Sequence, residues 1–190
     1  GARQGRGVSL TARDATAIAT ECPSILAASP VVVARGQLIF RNVNWRPDDI
    51  YGVGTDFLLV RNWALRHGNL FTKHDISSAA KVCIVGQTIV DKVFQTTNPL
   101  GQTVHINNIP FRIIGVLGKK GTDFTGNDED DVVLIPYTTV RKRLNGSSFD
   151  DVSYILASAR TMQQMTNAER EMNVLLRDRH RIHEGKAPDF

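Results

Sequence analysis

The stretch NPLGQTVHINNIPFRIIGVLGKKG, residues 98–121, limits the possible folds of this chain more than any other. Val104 and Ile106 before Asn107-Asn108, and Ile109, Phe111 and Ile113 after it, recur at the two-residue period of a half-buried strand. Two such runs joined by an asparagine pair predict a β-hairpin that bends at Asn107-Asn108. The hairpin carries almost no group capable of chemistry, so it reads as scaffold.

On either side of the hairpin lies a strand-turn-helix unit. KVCIVG reads as a buried strand running directly into QTIVDKVFQ, where Ile89, Val90, Val93 and Phe94 mark one helical face. VVLIP leads into PYTTVRKRL, with Pro136 where a first helical turn accepts it. Two such units around a hairpin predict a small mixed α/β body.

The chain ends read differently. LTARDATAIATECP carries a capping box, Thr11 with Asp14, followed by Ala15, Ile18, Ala19 and Cys22 at helical spacing before Pro23. SPVVVARGQLIFRN and WRPDDIYGV predict a long antiparallel pair around the turn-prone Asn42-Val43-Asn44, with Leu38 and Phe40 facing one way and Gln37, Ile39 and Arg41 the other. VSYILAS is a strand, and the helix after it places Met165, Ala168, Met172, Leu175 and Leu176 on one face, with Thr161/Gln164 as its capping pair. The element order predicts an α+β fold in two lobes. Residues 1–54 and 150–190 form one discontinuous lobe, and residues 55–149 form a second lobe inserted into it. A lobe made from both ends should bring Ser9 and His183 out on the same side.

At 190 residues the chain can bury a large core without staples, and 42% hydrophobic with 22% charged is the composition of an ordinary globular protein. No window approaches the roughly 20 apolar residues of a membrane helix. Residues 1–7 lack the apolar segment of a signal peptide and the chain opens without methionine, so it is expected to be an excised piece. Cys22 and Cys83 make no disulfide framework and read as small apolar packers.

The tests for chemistry fail one after another. The net charge of +4 is dispersed, and Arg141, Lys142 and Arg143 with the looser Arg177, Arg179, His180 and Arg181 fit solvated helix ends better than a nucleic-acid surface. A phosphate loop ending at Gly118-Lys119 would have Ile113 in place of its first glycine and Lys120 in place of its hydroxyl residue. A calcium loop set on Asp123 puts Asp128 at the glycine position and Leu134 at the bidentate glutamate, so the run 127–131 reads as an exposed acidic loop. His67, His74, His105, His180 and His183 show no zinc-type grouping, and Ser77-Ser78 and Ser147-Ser148 lack a nucleophile elbow. No catalytic, cofactor-binding or metal residue is therefore assigned, and no cofactor is expected.

Residues 82–121 and 124–144 closely resemble the periplasmic core domain of MacB-type ABC transporter permeases. The shared features are Gly86-Gln87, the Asn98-Pro99-Leu100-Gly101 turn, Phe111 with Ile114-Gly115-Val116, Phe124 and Gly126, Asp128 with Asp130-Asp131, and Ile135-Pro136. SPVV, VGTDFLLVRNWALRHGNLFTKHD and the closing Asp189-Phe190 agree as well, and residues 1–8 agree least. The resemblance implies a porter-like βαβ lobe with an inserted Sabre-like lobe, lying between two membrane helices cut away from this piece, and ATP-binding motifs on a separate cytoplasmic module. It implies a non-enzymatic domain that transmits ATP-driven movement and docks a periplasmic adaptor leading to an outer-membrane channel, in a permease that is a homodimer when complete. Contact residues are not carried over. The competing expectation is a ligand-sensing or substrate-binding module with an enclosed apolar cavity between lobes.

Overall fold

Thr11 begins the first helix as expected: its hydroxyl accepts from the Asp14 amide at 3.3 Å, and the Asp14 carboxylate accepts from the Thr11 amide at 3.0 Å. In the computed structural model, which describes residues 9–147 and 149–183, helix α1 spans Ala12–Glu21 and buries Ala15, Ala17 and Ile18. The expected features in residues 1–8, in Ser148 and at Asp189-Phe190 lie outside the described residues.

Among the described residues ten strands follow: β1 (Ile25–Ala34), β2 (Leu38–Phe40), β3 (Val43–Trp45), β4 (Asp49–Val53), β5 (Leu65–Gly68), β6 (Val82–Val85), β7 (Thr103–Ile106), β8 (Ile109–Leu117), β9 (Val132–Pro136) and β10 (Tyr154–Ala159). They join into one mixed sheet in the order β10-β1-β4-β9-β6-β8-β7-β2-β3, with β5 on the far part of β8. The β4–β9 and β6–β8 pairs are parallel and the others antiparallel. The α+β class thus stands as read from the sequence.

The continuous apolar runs mark strands covered on both faces. Along β9, Val133 and Ile135 enter one core cluster while Val132 and Leu134 enter another, and in β6 Cys83 and Val85 separate from Ile84 in the same way. The first cluster packs under the helical segment after β6, through Ile89, Val93 and Phe94. The second packs under α2 (Phe57–Val60), α3 (Lys73–Ser77) and Trp63. Cys22 belongs to a third cluster, between α1, β1 and α6 (Met165–His183), so the two buried free thiols occupy different cores.

The two strand-turn-helix units close alike. A short α-turn, α4 (Gln87–Ile89) or α5 (Tyr137–Thr139), widens into a π-turn, Val90–Phe94 or Val140–Leu144, ended by a bond from Gln95 N to Val90 O or from Asn145 N to Val140 O. Their strands pair antiparallel through equivalent residues, Ile84 opposite Leu134, so the units face each other across a local pseudo-dyad. Pro136 closes β9 and caps α5, one step before the helical position expected for it.

Three expectations change. First, the long antiparallel pair exists as β1 with β4, but its tip turns at Arg41-Asn42, with Arg41 at φ 52°, and peels away. Leu38 lies opposite Ile106 and Phe40 packs on the Phe94 ring at 4.4 Å between centroids, in the cluster that also holds Val104, so β2 leaves β1 and pairs with β7 at the opposite end of the sheet. Second, hydrogen bonding crosses the expected lobe boundaries at β4–β9 and β2–β7, so strands from 1–54 and from 55–149 share one framework. Third, Thr161 bonds the Gln164 side chain at 3.1 Å without capping a backbone amide, because a 3₁₀ turn, Met162–Gln164, precedes α6.

The hairpin bends where predicted. Asn107 and Asn108 hold φ of 50° and 68°, the left-handed pair that a two-residue turn needs. Asn107 also ties this turn to the loop after β1, donating to Arg35 O at 3.0 Å and accepting from Gln37 N at 3.3 Å. Asn107→Ala should destabilise the chain by about 1–2 kcal/mol, since it loses both bonds and strains the turn. Asn107→Gly, which keeps the turn and loses only the bonds, should lie between wild type and alanine in urea melts.

Candidate functional site

The described residues bring together two built features: a clasp between the chain ends and a braced loop carrying an exposed aromatic. The clasp arises because α1 and α6 lie antiparallel against β1 and β10, with Ile18 and Ala168 in one apolar seam. At one end of the seam, the buried Asp14 carboxylate accepts from Arg179 Nε at 2.9 Å, and His180 Nε2 lies 3.6 Å from its other oxygen. At the other end, Glu171 accepts from the Ser24 amide at 2.9 Å and its hydroxyl at 2.6 Å. The first turn of α1 therefore meets the last turns of α6.

Burial pushes the Asp14 carboxyl up, but the bonds from Arg179 and Thr11 and the charges of His180 and Arg179 outweigh it and hold the group below its ordinary value. The Ser24 hydroxyl and amide hold Glu171 down as well. Both ends of the clasp thus carry carboxylates kept ionised by their partners. Arg179 and His180, read from sequence as part of a solvated helix end, instead face a buried acid 165 positions away in the case of Arg179. No local pattern in the sequence signals that pairing.

The loop between β8 and β9 contains the acidic run. Its carboxylates hold the loop's backbone and neighbouring side chains, and Asp130 and Asp131 are buried while Asn127 stays exposed, which corrects the expectation of an exposed acidic stretch for the second half of the run. Asp130 accepts from the amides of Lys120 at 2.7 Å and Gly121 at 2.8 Å, and Asp131 accepts from Trp45 Nε1 at 2.9 Å. Asp128 accepts from the Thr88 hydroxyl at 2.6 Å. At the tip one oxygen of Asp123 accepts from Thr125 N, Thr125 Oγ1 and Asn127 N, and these bonds keep its carboxyl below the ordinary value. Burial raises Asp131, with the Trp45 bond opposing the shift. Arg61 and Lys120 clamp the flank: Arg61 pairs with Glu129 at 3.2 Å, and Lys120 Nζ donates to Arg61 O at 2.7 Å.

The result of this bracing is a loop that holds Phe124 fully exposed at its tip. A Phe in sequence is more often core than surface, so the pattern alone did not single it out as a contact. Replacing Asp130 with alanine should release the Lys120 and Gly121 amides and lower stability by about 1–3 kcal/mol. Hydrogen exchange at those two amides should quicken by more than exchange in β6 does.

Among the clefts lined by described residues beside these features, two are the roomiest. One of about 530 Å³ lies at the foot of the loop, between Asp48, Asp49, Tyr51, Trp63 and the loop's own carboxylates. The other, about 440 Å³, is an apolar groove between α1, β1 and α3, lined by Ala15, Ala19, Ala28 and Ile76.

The other residues tested for chemistry are scattered. His105 faces outward from β7, and the Ser77 and Ser78 hydroxyls both donate to His74 O. Gly118 follows β8, its carbonyl held by Trp63 Nε1 at 2.7 Å. Arg141, Lys142 and Arg143 lie on the π-turn after α5, where Arg143 donates to Ala79 O. Among the described residues no three His, Cys, Asp or Glu side chains converge as a metal site, and no helix is long and apolar enough to cross a membrane.

Residues 1–175 match the family described as the MacB-like periplasmic core domain. The chain is 44% identical over 154 residues to the macrolide export ATP-binding/permease protein MacB of Syntrophobacter fumaroxidans, covering 81% of this chain and 22% of that protein. It is 34% identical over 170 residues to the pyoverdine export ATP-binding/permease protein PvdT of Pseudomonas aeruginosa, covering 88% of this chain and 25% of that protein. The chain therefore spans about a quarter of the length of these curated relatives. Its fold superposes on the periplasmic region of MacB from Actinobacillus actinomycetemcomitans with a TM-score of 0.76 and 26% identity, over 98% of this chain and 80% of that one.

Proposed function

Because the chain belongs to the family of MacB-like periplasmic core domains, the periplasmic part of an ABC transporter permease, we propose that it relays ATP-driven movement from the membrane to a docked periplasmic partner during export. The domain is a non-catalytic region of the transporter.

The observation that carries this reading is the clasp. Asp14 and Arg179 join the first turn of α1 to the end of α6, where two flanking membrane helices would attach. Movement entering through either helix reaches a single framework, because both chain ends rest on β1 and β10 of one continuous sheet. A coupled rigid body of this kind transmits displacement without chemistry of its own. ATP binding then belongs to another module of the permease, and the proposed partner is an adaptor protein leading to an outer-membrane channel.

Binding of the purified chain to a periplasmic adaptor protein from the same cell tests the docking half. Saturable retention of that adaptor is expected, and none at micromolar concentrations would sink it. The ligand-sensing alternative has one observation in its favour, the apolar groove beside α1. The larger cleft is walled by carboxylates, a poor setting for a lipid-like ligand.

A further inference from the structure

We propose that the cleft at the foot of the Phe124 loop receives a basic segment of the partner protein, with Phe124 packing into an apolar socket beside that segment. This rests on the docking reading above and identifies the chemistry of its partner.

The cleft, about 530 Å³, is lined by five carboxylates, Asp48, Asp49, Asp123, Asp128 and Glu129, against one guanidinium, Arg61; Asp123, Asp128 and Glu129 already accept bonds from Thr125, Thr88 and Arg61, so Asp48 and Asp49 are the pair assigned to the basic segment. The whole chain carries +4, so this acidity is a local feature and opposes the overall charge. Tyr51 and Trp63 line the same space and add aromatic surface to the carboxylates. Rings and carboxylates together suit an arginine or lysine side chain, which makes charge-assisted hydrogen bonds and stacks on aromatic faces. Arg61 and Lys120 already stand over the Trp63 ring at 5.9 and 5.4 Å, so the ring's attraction for cations is in use from one side.

Phe124 decides between a protein segment and a free cation. It follows Asp123 of the cleft wall directly, yet stands wholly in water, on a tip held by the bonds Asp123 accepts from Thr125 and Asn127. A small cation in the cleft gains nothing from a ring held outside it. A macromolecular partner gains an exposed aromatic anchor on a backbone turn already ordered by those bonds. The carboxylates flanking the anchor require that the partner's socket be rimmed by basic residues.

The test uses the chain with a labelled peptide alternating arginine and leucine, beside a twin with glutamate in place of arginine, read by fluorescence anisotropy. Saturable binding of the arginine peptide alone is expected. It should weaken at least about tenfold in Phe124→Ala, and likewise in Asp48→Asn/Asp49→Asn, and stay unchanged in Glu169→Gln on the outer face of α6. Raising salt from 0.05 to 1 M should also weaken it, as screening by a Debye length of about 3 Å requires. Equal binding of both peptides, or of the arginine peptide to all variants, overturns the proposal. Spermidine or calcium chloride binding equally to wild type and Phe124→Ala, with no peptide binding, reassigns the cleft to small cations and also overturns it. Self-association abolished by Phe124→Ala assigns the tip to a second copy, with the same consequence. Adaptor retention that persists when the peptide effect fails leaves docking intact and removes only this inference; loss of both removes both.

Discussion

Replacing Asp14 with alanine is expected to lower the unfolding free energy at neutral pH by about 2–4 kcal/mol. The carboxylate is buried and receives the Thr11 amide and the Arg179 guanidinium, with His180 alongside. Its removal loses the Thr11 amide's half of the capping box and leaves the Arg179 charge without its buried partner. The Arg179 side chain is 34% exposed, so water meets part of the loss and the effect stays below that of a fully buried orphaned charge. The pH dependence follows from the direction of the shift. Asp14 is held below the ordinary 3.8, so it stabilises the fold above about pH 4, and the contribution disappears as pH falls through the lower folded value. The difference in stability between wild type and Asp14→Asn should therefore shrink in denaturant melts run from about pH 5 down to pH 2. A constant difference would show that the carboxylate's charge is not what holds the clasp. In the complete permease the same substitution should reduce export while ATP hydrolysis continues, because it loosens the junction through which the two membrane connections reach the sheet. Export at the wild-type rate would remove the clasp from the proposed relay.

Phe111→Ala should destabilise the chain by about 3–5 kcal/mol. Phe111 is wholly buried on β8 opposite Val104, in the cluster that also holds Leu38, Phe40 and Ile106. This is where the strand borrowed from the chain's first fifty residues meets the central hairpin, so a cavity here loosens two sequence-distant parts at once. A smaller residue leaves a void that the surrounding strands, fixed by their ladders, cannot collapse around. Ile109→Ala at the half-buried end of the same hairpin should have a clearly smaller effect. Losses below about 1 kcal/mol for Phe111→Ala in urea melts would mean that β2 does not close over this cluster.

The sequence displayed whatever short-range physics controls. The capping box at Thr11-Asp14, the bend at Asn107-Asn108 and the apolar runs of β6 and β9 all form where their local chemistry points. The family was legible too, because Gly86-Gln87, Phe124, Gly126 and Asp130-Asp131 occur in a recognisable order, and the comparisons agree. The departure of β2 and β3 to pair beyond β7 was not legible. Alternation at Leu38 and Phe40 says that one face is buried, but not beside which strand. The acidic run was misread for a related reason. Charge alone suggests solvent, whereas Asp130 finds two backbone amides ten and nine positions back and Asp131 finds the indole of Trp45.

From its sequence alone the chain was committed to an α+β body, to its hairpin and capped helices, and to its family, since bends, caps and periodicities act between residues a few positions apart. Tertiary structure alone decided that both ends feed one continuous sheet, that Arg179 reaches Asp14, and that Phe124 is held out in water. Each of these depends on contacts between distant segments, whose geometry exists only after the strands have found their partners and the polar groups left over have been satisfied across the gap.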